Sequence, residues 1–217
     1  MATLALLLYL VFGALGFGWR SWQQRRRTGS SGFRGISGRP GSLEWCAGAG
    51  FVVAIIVGVA APVVQLVGTV SPVEVLDTGW IQWFGVVVAV TGIGATLYAQ
   101  NDMGESWRIG VDAGESTTLV RDGVFAMVRN PIFTAMLVFG AGVTLMIANP
   151  VAIAAFLLLL ATIELQVRVV EEPYLTGSHG EDYRDYTRTI GRFLPGIGRA
   201  RATGIDPNSV HPKGKSS

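Results

Sequence analysis

Long apolar runs separated by short polar stretches dominate this chain. A helix needs about 20 mostly apolar residues to cross a bilayer. Five runs meet or nearly meet that length: about Thr3 to Trp19, Trp45 to Val70, Trp80 to Gln100, Ile132 to Ala148 and Val151 to Val167. Pro62 falls inside the second and predicts a kink there. Trp19, Trp22, Trp45, Trp80 and Trp83 stand at or near run ends, where amphipathic rings favour the interface. Asn149-Pro150 is a turn signal, so the last two runs should form a tight antiparallel hairpin. Gly85, Gly92, Gly94, Gly140 and Gly142 fit close helix packing through small residues rather than a GxxxG pair. The pattern predicts an all-α, polytopic membrane protein of about five transmembrane helices.

Composition supports that class. Half of the 217 residues are hydrophobic and 15% are charged, against roughly 25% charged in soluble proteins. A formal charge of +2 gives no reason to expect a nucleic-acid partner. The single cysteine, Cys46, provides neither an intrachain disulfide nor a CxxC pair nor a zinc cluster. Charge placement sets orientation. With the stretch from Arg20 to Glu44 in the cytoplasm, all 17 Lys and Arg residues fall on cytoplasmic segments. The loop from Ser71 to Gly79 is then outside, with Glu74 and Asp77. The first run has no basic residues before it and four arginines soon after it, which reads as an uncleaved span with its N-terminus outside. The expected layout has three parts. Residues 1–100 carry three spans and a basic loop, 101–198 a catalytic core with the hairpin, and 199–217 a polar disordered tail. Without an organelle signal, the composition fits a bacterial inner membrane.

Three polar stretches carry candidate chemistry. The first includes Trp107, Thr117 to Phe125, and Arg129-Asn130-Pro131-Ile132-Phe133. Pro131 suits the first turn of a helix, and Asn130 then takes the N-cap position. The free N–H groups and dipole there would welcome a carboxylate. The second runs Glu164, Arg168, Glu171, Glu172, Leu175. On a regular helix the last four share one face, and Glu164 can pair with Arg168 at i, i+4. The third is Gly180 to Arg188, where Tyr183 and Tyr186, three apart, should face inward together.

In this order, the stretches resemble a known superfamily. Gly123 to Phe133, with Arg129-Asn130-Pro131, is similar to the "G-x-[YF]-x-x-x-R-H-P-x-Y" signature of the isoprenylcysteine carboxyl methyltransferase and phospholipid methyltransferase superfamily. Glu171-Glu172, Leu175, Gly180, Tyr183, Tyr186 and Arg192-Phe193-Leu194-Pro195 resemble its "E-E-x-x-L…G-x-x-Y-x-x-Y…P" ending. The resemblance covers about Trp107 to Pro195. It implies a membrane enzyme using S-adenosyl-L-methionine, with a cytoplasmic cofactor pocket in the C-terminal half.

Implied roles follow position by position. Thr117, Thr118, Leu119 and Val120 line the pocket, and Phe125 packs on the cofactor. Asn130, Pro131, Ile132 and Phe133 complete the wall. Glu171 or Glu172 binds the cofactor beside Leu175. Arg168, toward the substrate head group, and Glu172 are the implied catalytic pair. Tyr183, Tyr186 and Arg188 close the lid. Asn130 replaces the usual His and cannot serve as a titrating base. Phe133 replaces a Tyr, and His179 stands where an aromatic often precedes the Gly. The missing His favours a carboxylate or thiol acceptor over an amine, on a lipophilic or small-molecule substrate that, if apolar, enters sideways from the bilayer; membrane lipids are the other expected partner. Two alternatives compete. A membrane reductase of the sterol type, using a nicotinamide dinucleotide phosphate, would need a more cationic pocket than Glu171 and Glu172 suggest. A non-enzymatic membrane scaffold would tolerate loss of both glutamates.

Overall fold

A chain in a bilayer core must satisfy its backbone internally, and an apolar run does so as a helix. The computed structural model describes residues 1–32, 35–104, 107 and 118–200. Among these it is helical, with isolated bridges but no extended strand.

Helix α1, Ala2–Thr28, continues past the expected end at Trp19. It contains a π-helical segment, Gly13–Trp19, and stops at Gly29, whose φ of 78° suits glycine. Helix α2, Leu43–Leu66, starts at Ser42, whose hydroxyl accepts from the Trp45 N–H at 3.2 Å. Helix α3 is Gly79–Met103. Helix α4, Pro131–Ile147, is 17 residues long, at the short end of what spans a bilayer. Helix α5, Pro150–Gln166, leads through a π-helical turn, Val167–Glu171, into α6, Glu172–Thr189. The five expected spans are thus α1 to α5.

The helices approach closely where the sequence places glycine. A Cβ on Gly92 of α3 would lie 2.4 Å from the Phe139 nitrogen of α4, and one on Gly142 would lie 2.3 Å from the Ala89 nitrogen. Side chains could not be tolerated at either position. Gly94 meets nothing within 4 Å and faces away from this contact. Aromatic packing ties α1 to α4, with the Phe12 and Phe139 rings stacked at 4.3 Å and Tyr9 edge-on to Phe139 at 5.2 Å.

The hairpin forms as its sequence predicts, and it also docks. Ala148 takes a left-handed conformation to end α4, and Pro150 begins α5. Asn149 between them is fully buried. Its Oδ1 accepts from the Ala152 N–H at 2.8 Å. Its Nδ2 donates to the Ala61 carbonyl at 3.0 Å and to Gln65 Oε1 at 2.8 Å, both on α2. In an apolar medium such a polar residue is tolerated because its amide groups are occupied.

At the opposite, basic end of the bundle, Arg20 is buried. Its guanidinium donates to the Gln100 and Gly104 carbonyls at the C-terminus of α3 and to Gln23 Oε1. It also lies 5.1 Å from the Trp107 ring. A cation suits the negative end of a helix dipole, so this arginine, read from the sequence as an orientation signal, also ties α1 to α3.

Candidate functional site

Three short-range constraints shape the basic end. The first is the turn Gly123–Ala126. Asp102, at the end of α3, accepts from the Val124 N–H at 3.0 Å. A Cβ on Gly123 would lie 2.2 Å from the same carboxylate, and its φ is 57°, so glycine is required on two counts. The turn buries Phe125.

The second constraint joins the two motifs. The Arg129 N–H donates to the Gly191 carbonyl at 2.8 Å, and the Asn130 N–H to the Arg192 carbonyl at 3.1 Å. The Asn130 side chain also donates to the Arg192 carbonyl, at 3.2 Å, and makes no cap bond to α4. Thr134 Oγ1 donates to the Phe193 carbonyl at 3.0 Å. The segment 191–193 therefore lies against the start of α4.

The third is the π-helical turn Val167–Glu171. A π turn inserts about one extra residue into a helix and shifts the register beyond it. The single face expected for Arg168, Glu171, Glu172 and Leu175 does not form. Arg168 is exposed and bound to Glu164, with Nη2 to Oε1 at 3.0 Å. Glu172 lies between two arginines. Its Oε1 is 3.0 Å from Arg129 Nη1, and Arg192 holds both its oxygens, at 2.8 and 3.0 Å. Glu171 lines a cavity instead.

That cavity has a volume of about 220 Å³. It gathers most of the residues singled out in the sequence. Thr118, Leu119, Val120 and Phe125 form one part of its wall, and Asn130, Pro131, Ile132 and Phe133 another. Glu171, Leu175, Tyr183 and Tyr186 line it from the turn and α6. Thr117 lies outside the described residues. Arg168 and Glu172 are not among its lining residues: the first is turned outward, and the second is held by the arginine pair. Sequence reasoning did not assign roles to Arg129, Gln100, Trp107, Phe17 and Phe51, which also line it. For Arg129 and Trp107 the signal was present, since both belong to the quoted polar stretch. Gln100, Phe17 and Phe51 look like ordinary residues of apolar helices.

Tyr183 and Tyr186 are buried, and the Tyr186 hydroxyl donates to the Phe125 carbonyl. Burial, with Glu172 adding to it, pushes the Tyr183 phenol up to about 12. Burial raises Tyr186 as well. The bond from Glu172 raises Arg192. Both tyrosines are neutral at ordinary pH.

A second cavity lies deeper among the helices and is walled almost wholly by apolar side chains, including Phe12, Ile55, Phe139 and Phe156. Phe17, Phe51, Val52 and Met136 line both cavities. The two cavities therefore share a wall.

The fold and site define a polytopic helical membrane protein with a cavity built at its basic end by the ends of its helices and the segments joining them. Comparison with known proteins narrows this class. The phospholipid methyltransferase family model matches residues 80–182. Protein-S-isoprenylcysteine O-methyltransferase A of Arabidopsis thaliana is 26% identical over 118 residues, which is 54% of this chain and 60% of that protein. The protein-S-isoprenylcysteine O-methyltransferase of Schizosaccharomyces pombe is 30% identical over 77 residues, 36% of this chain and 33% of the relative. A solved structure of a eukaryotic intramembrane Ras methyltransferase, isoprenylcysteine carboxyl methyltransferase, shares the fold. Its TM-score is 0.57 at 20% identity, over 89% of this chain and 67% of that one. The chain thus spans about 60% of the length of the Arabidopsis relative. These likenesses support the isoprenylcysteine carboxyl methyltransferase and phospholipid methyltransferase superfamily as the one this chain resembles.

Proposed function

We propose that this chain is a membrane methyltransferase that uses S-adenosyl-L-methionine and acts at the cytoplasmic face, in a bacterial inner membrane. Its acceptor is a lipophilic molecule bearing a carboxylate or a thiol. The observation that carries this reading is the cavity at the basic end. It places one carboxylate, Glu171, and one buried guanidinium, Arg129, in an otherwise largely aromatic and aliphatic wall, beside an apolar chamber. The names of the relatives point the same way.

The residues fit the methyl donor. It carries an ammonium and a sulfonium, which favour Glu171, and a carboxylate, which favours Arg129. Phe125, Tyr183 and Tyr186 offer ring faces for a cation. When bound, the donor supplies a methyl group already activated by positive sulfur. The protein's task is alignment and exclusion of water. A carboxylate acceptor forms its O–CH3 bond as the S–CH3 bond breaks, leaving a neutral thioether and no proton to remove. That chemistry does not require a His at position 130. Arg129 stands nearer this chemistry than Arg168, and Glu172 acts by positioning Arg129.

The test uses purified protein in lipid nanodiscs with donor labelled in the methyl group. Hexadecanoic acid and a prenyl thiol serve as acceptors. Methyl esters release label as methanol in base, whereas methyl thioethers retain it, so the product identifies the acceptor atom. Donor binding by calorimetry with methylation of either acceptor supports the reading. Absence of donor binding by folded protein overturns it.

A further inference from the structure

Helix α1 is longer than a bilayer requires. It has 27 residues, which at about 1.5 Å each rise about 40 Å, against a hydrocarbon core of about 30 Å. The surplus carries its last turns, from Trp19 to Thr28, beyond the apolar run, and there the helix has two unlike faces. One face is docked. Arg20 and Gln24 are buried, and Arg20 is bound to the end of α3. The other face is open. Trp19, Trp22 and Arg26 follow one another at spacings of three and four, so they form one row, and all three are exposed. The Trp19 and Trp22 rings pack on each other at 4.7 Å. The Arg26 guanidinium lies over the Trp22 ring, 4.0 Å from its centre. Arg25, three residues after Trp22, is exposed beside the row.

The charge of this row is uncompensated. Arg129, Arg168, Arg184, Arg188 and Arg192 each meet a carboxylate. Among the described residues, no carboxylate lies within ion-pair distance of Arg25 or Arg26. A guanidinium stacked on a ring still presents its fork of N–H donors at the edge, a shape that suits a phosphate. Indole rings favour the boundary between hydrocarbon and headgroups, so the two arginines stand at headgroup level. The occupant must be apolar along the indoles and anionic at the guanidinium groups. We propose that Trp19, Trp22, Arg25 and Arg26 bind an anionic phospholipid, with an acyl chain along the indoles and the phosphate on the two arginines. A headgroup ammonium would be repelled there, so the lipid carries net negative charge. The bound lipid holds the free face of α1 at the membrane surface while Arg20 holds the other face to α3. This site is independent of the proposed methyl transfer.

Native mass spectrometry of the full chain, stripped of lipid in detergent, tests the proposal. The protein is titrated with phosphatidylglycerol and with phosphatidylcholine of identical chains, and the affinity for the first lipid bound is read. Wild type should bind phosphatidylglycerol roughly tenfold more tightly, given about fivefold for each cation near the surface. Arg26→Gln and Trp22→Leu should each cut that preference several-fold. Arg26→Lys keeps the charge but loses the stacked fork, so it should cut the preference too, and it serves if the Gln variant does not assemble. Arg39→Gln removes an exposed arginine outside the row and should leave the preference unchanged. Equal affinities for the two lipids overturn the proposal. So does an equal loss in Arg39→Gln and Arg26→Gln, which would mean general charge attraction without a site. Displacement of phosphatidylglycerol by millimolar inorganic phosphate would make free phosphate the occupant and overturns it as well.

Discussion

Glu171 and Glu172 are adjacent and chemically identical, yet the structure gives them different work. Glu172 pairs with both Arg129 and Arg192 inside a mostly buried cluster. Removing its charge leaves two guanidinium groups uncompensated, which costs about 2–4 kcal/mol. Glu172→Gln should therefore lower the melting temperature of the protein clearly. Glu171→Gln should lower it less and instead weaken binding of the methyl donor by about tenfold or more. Thermal melts and calorimetry on both variants separate the two roles, and equal effects on both readouts would contradict the division. Tyr183 offers a pH test at the same scale. Its phenol is pushed up to about 12 by burial and by Glu172, whereas an unfolded tyrosine ionises near about 10. Between those values the folded state keeps a proton that the unfolded state gives up. Its contribution to stability is therefore complete below about pH 10 and is lost as pH rises toward about 12. The difference in phenolate absorbance between wild type and Tyr183→Phe should appear in that upper range. An ionisation near pH 10 would mean that the ring is hydrated.

Secondary-structure elements were legible in the sequence to the extent that hydropathy sets them. The five runs became α1 to α5 because water-free surroundings leave the backbone no alternative. The Asn149-Pro150 turn and the inward pair Tyr183 and Tyr186 were legible because each depends on local geometry. The π-helical turn at Val167–Glu171 was not. Nothing in the local residues marks the extra residue, since the register is set by how α5 and α6 pack on the rest of the molecule. As a result Glu171 and Glu172 were expected on one face and point to different partners, while Arg168 keeps the i, i+4 pair with Glu164 that a regular helix predicts. Which glycines pack was also hidden, because Gly92 and Gly94 differ only in the side of α3 they occupy. That difference is measurable. Gly92→Ala pushes a methyl group into the backbone of α4 and should cost about 1–3 kcal/mol or more, or prevent assembly. Gly94→Ala, with open space around it, should be neutral in the same thermal melt. A neutral Gly92→Ala would show that α3 and α4 do not approach as described.

At the scale of the whole molecule, the cavity draws on both ends of the chain. Phe17, Phe51 and Gln100 come from the first three spans, and Glu171 and Tyr186 from the last segments. Gln100 and Asp102 carried no recognisable sequence signal, since a polar residue near a helix end has many uses. The motif-bearing half was legible, and the half that closes the cavity was not. The architecture nevertheless has one polarity, because the cavity and the basic residues share one end of the bundle. On the proposed reading, a charged methyl donor made in the cytoplasm reaches the site only if that end faces inward. Orientation and activity therefore stand together. In a Cys46→Ser background, Pro40→Cys at the basic end and Ser71→Cys in the opposite loop place single thiols at exposed positions on the two sides. A membrane-impermeant maleimide added to intact spheroplasts should label Ser71→Cys and leave Pro40→Cys unlabelled until the membrane is permeabilised. The reverse pattern would put the cavity outside, away from any cytoplasmic supply of the donor, and would remove the basis for a methyltransferase facing inward.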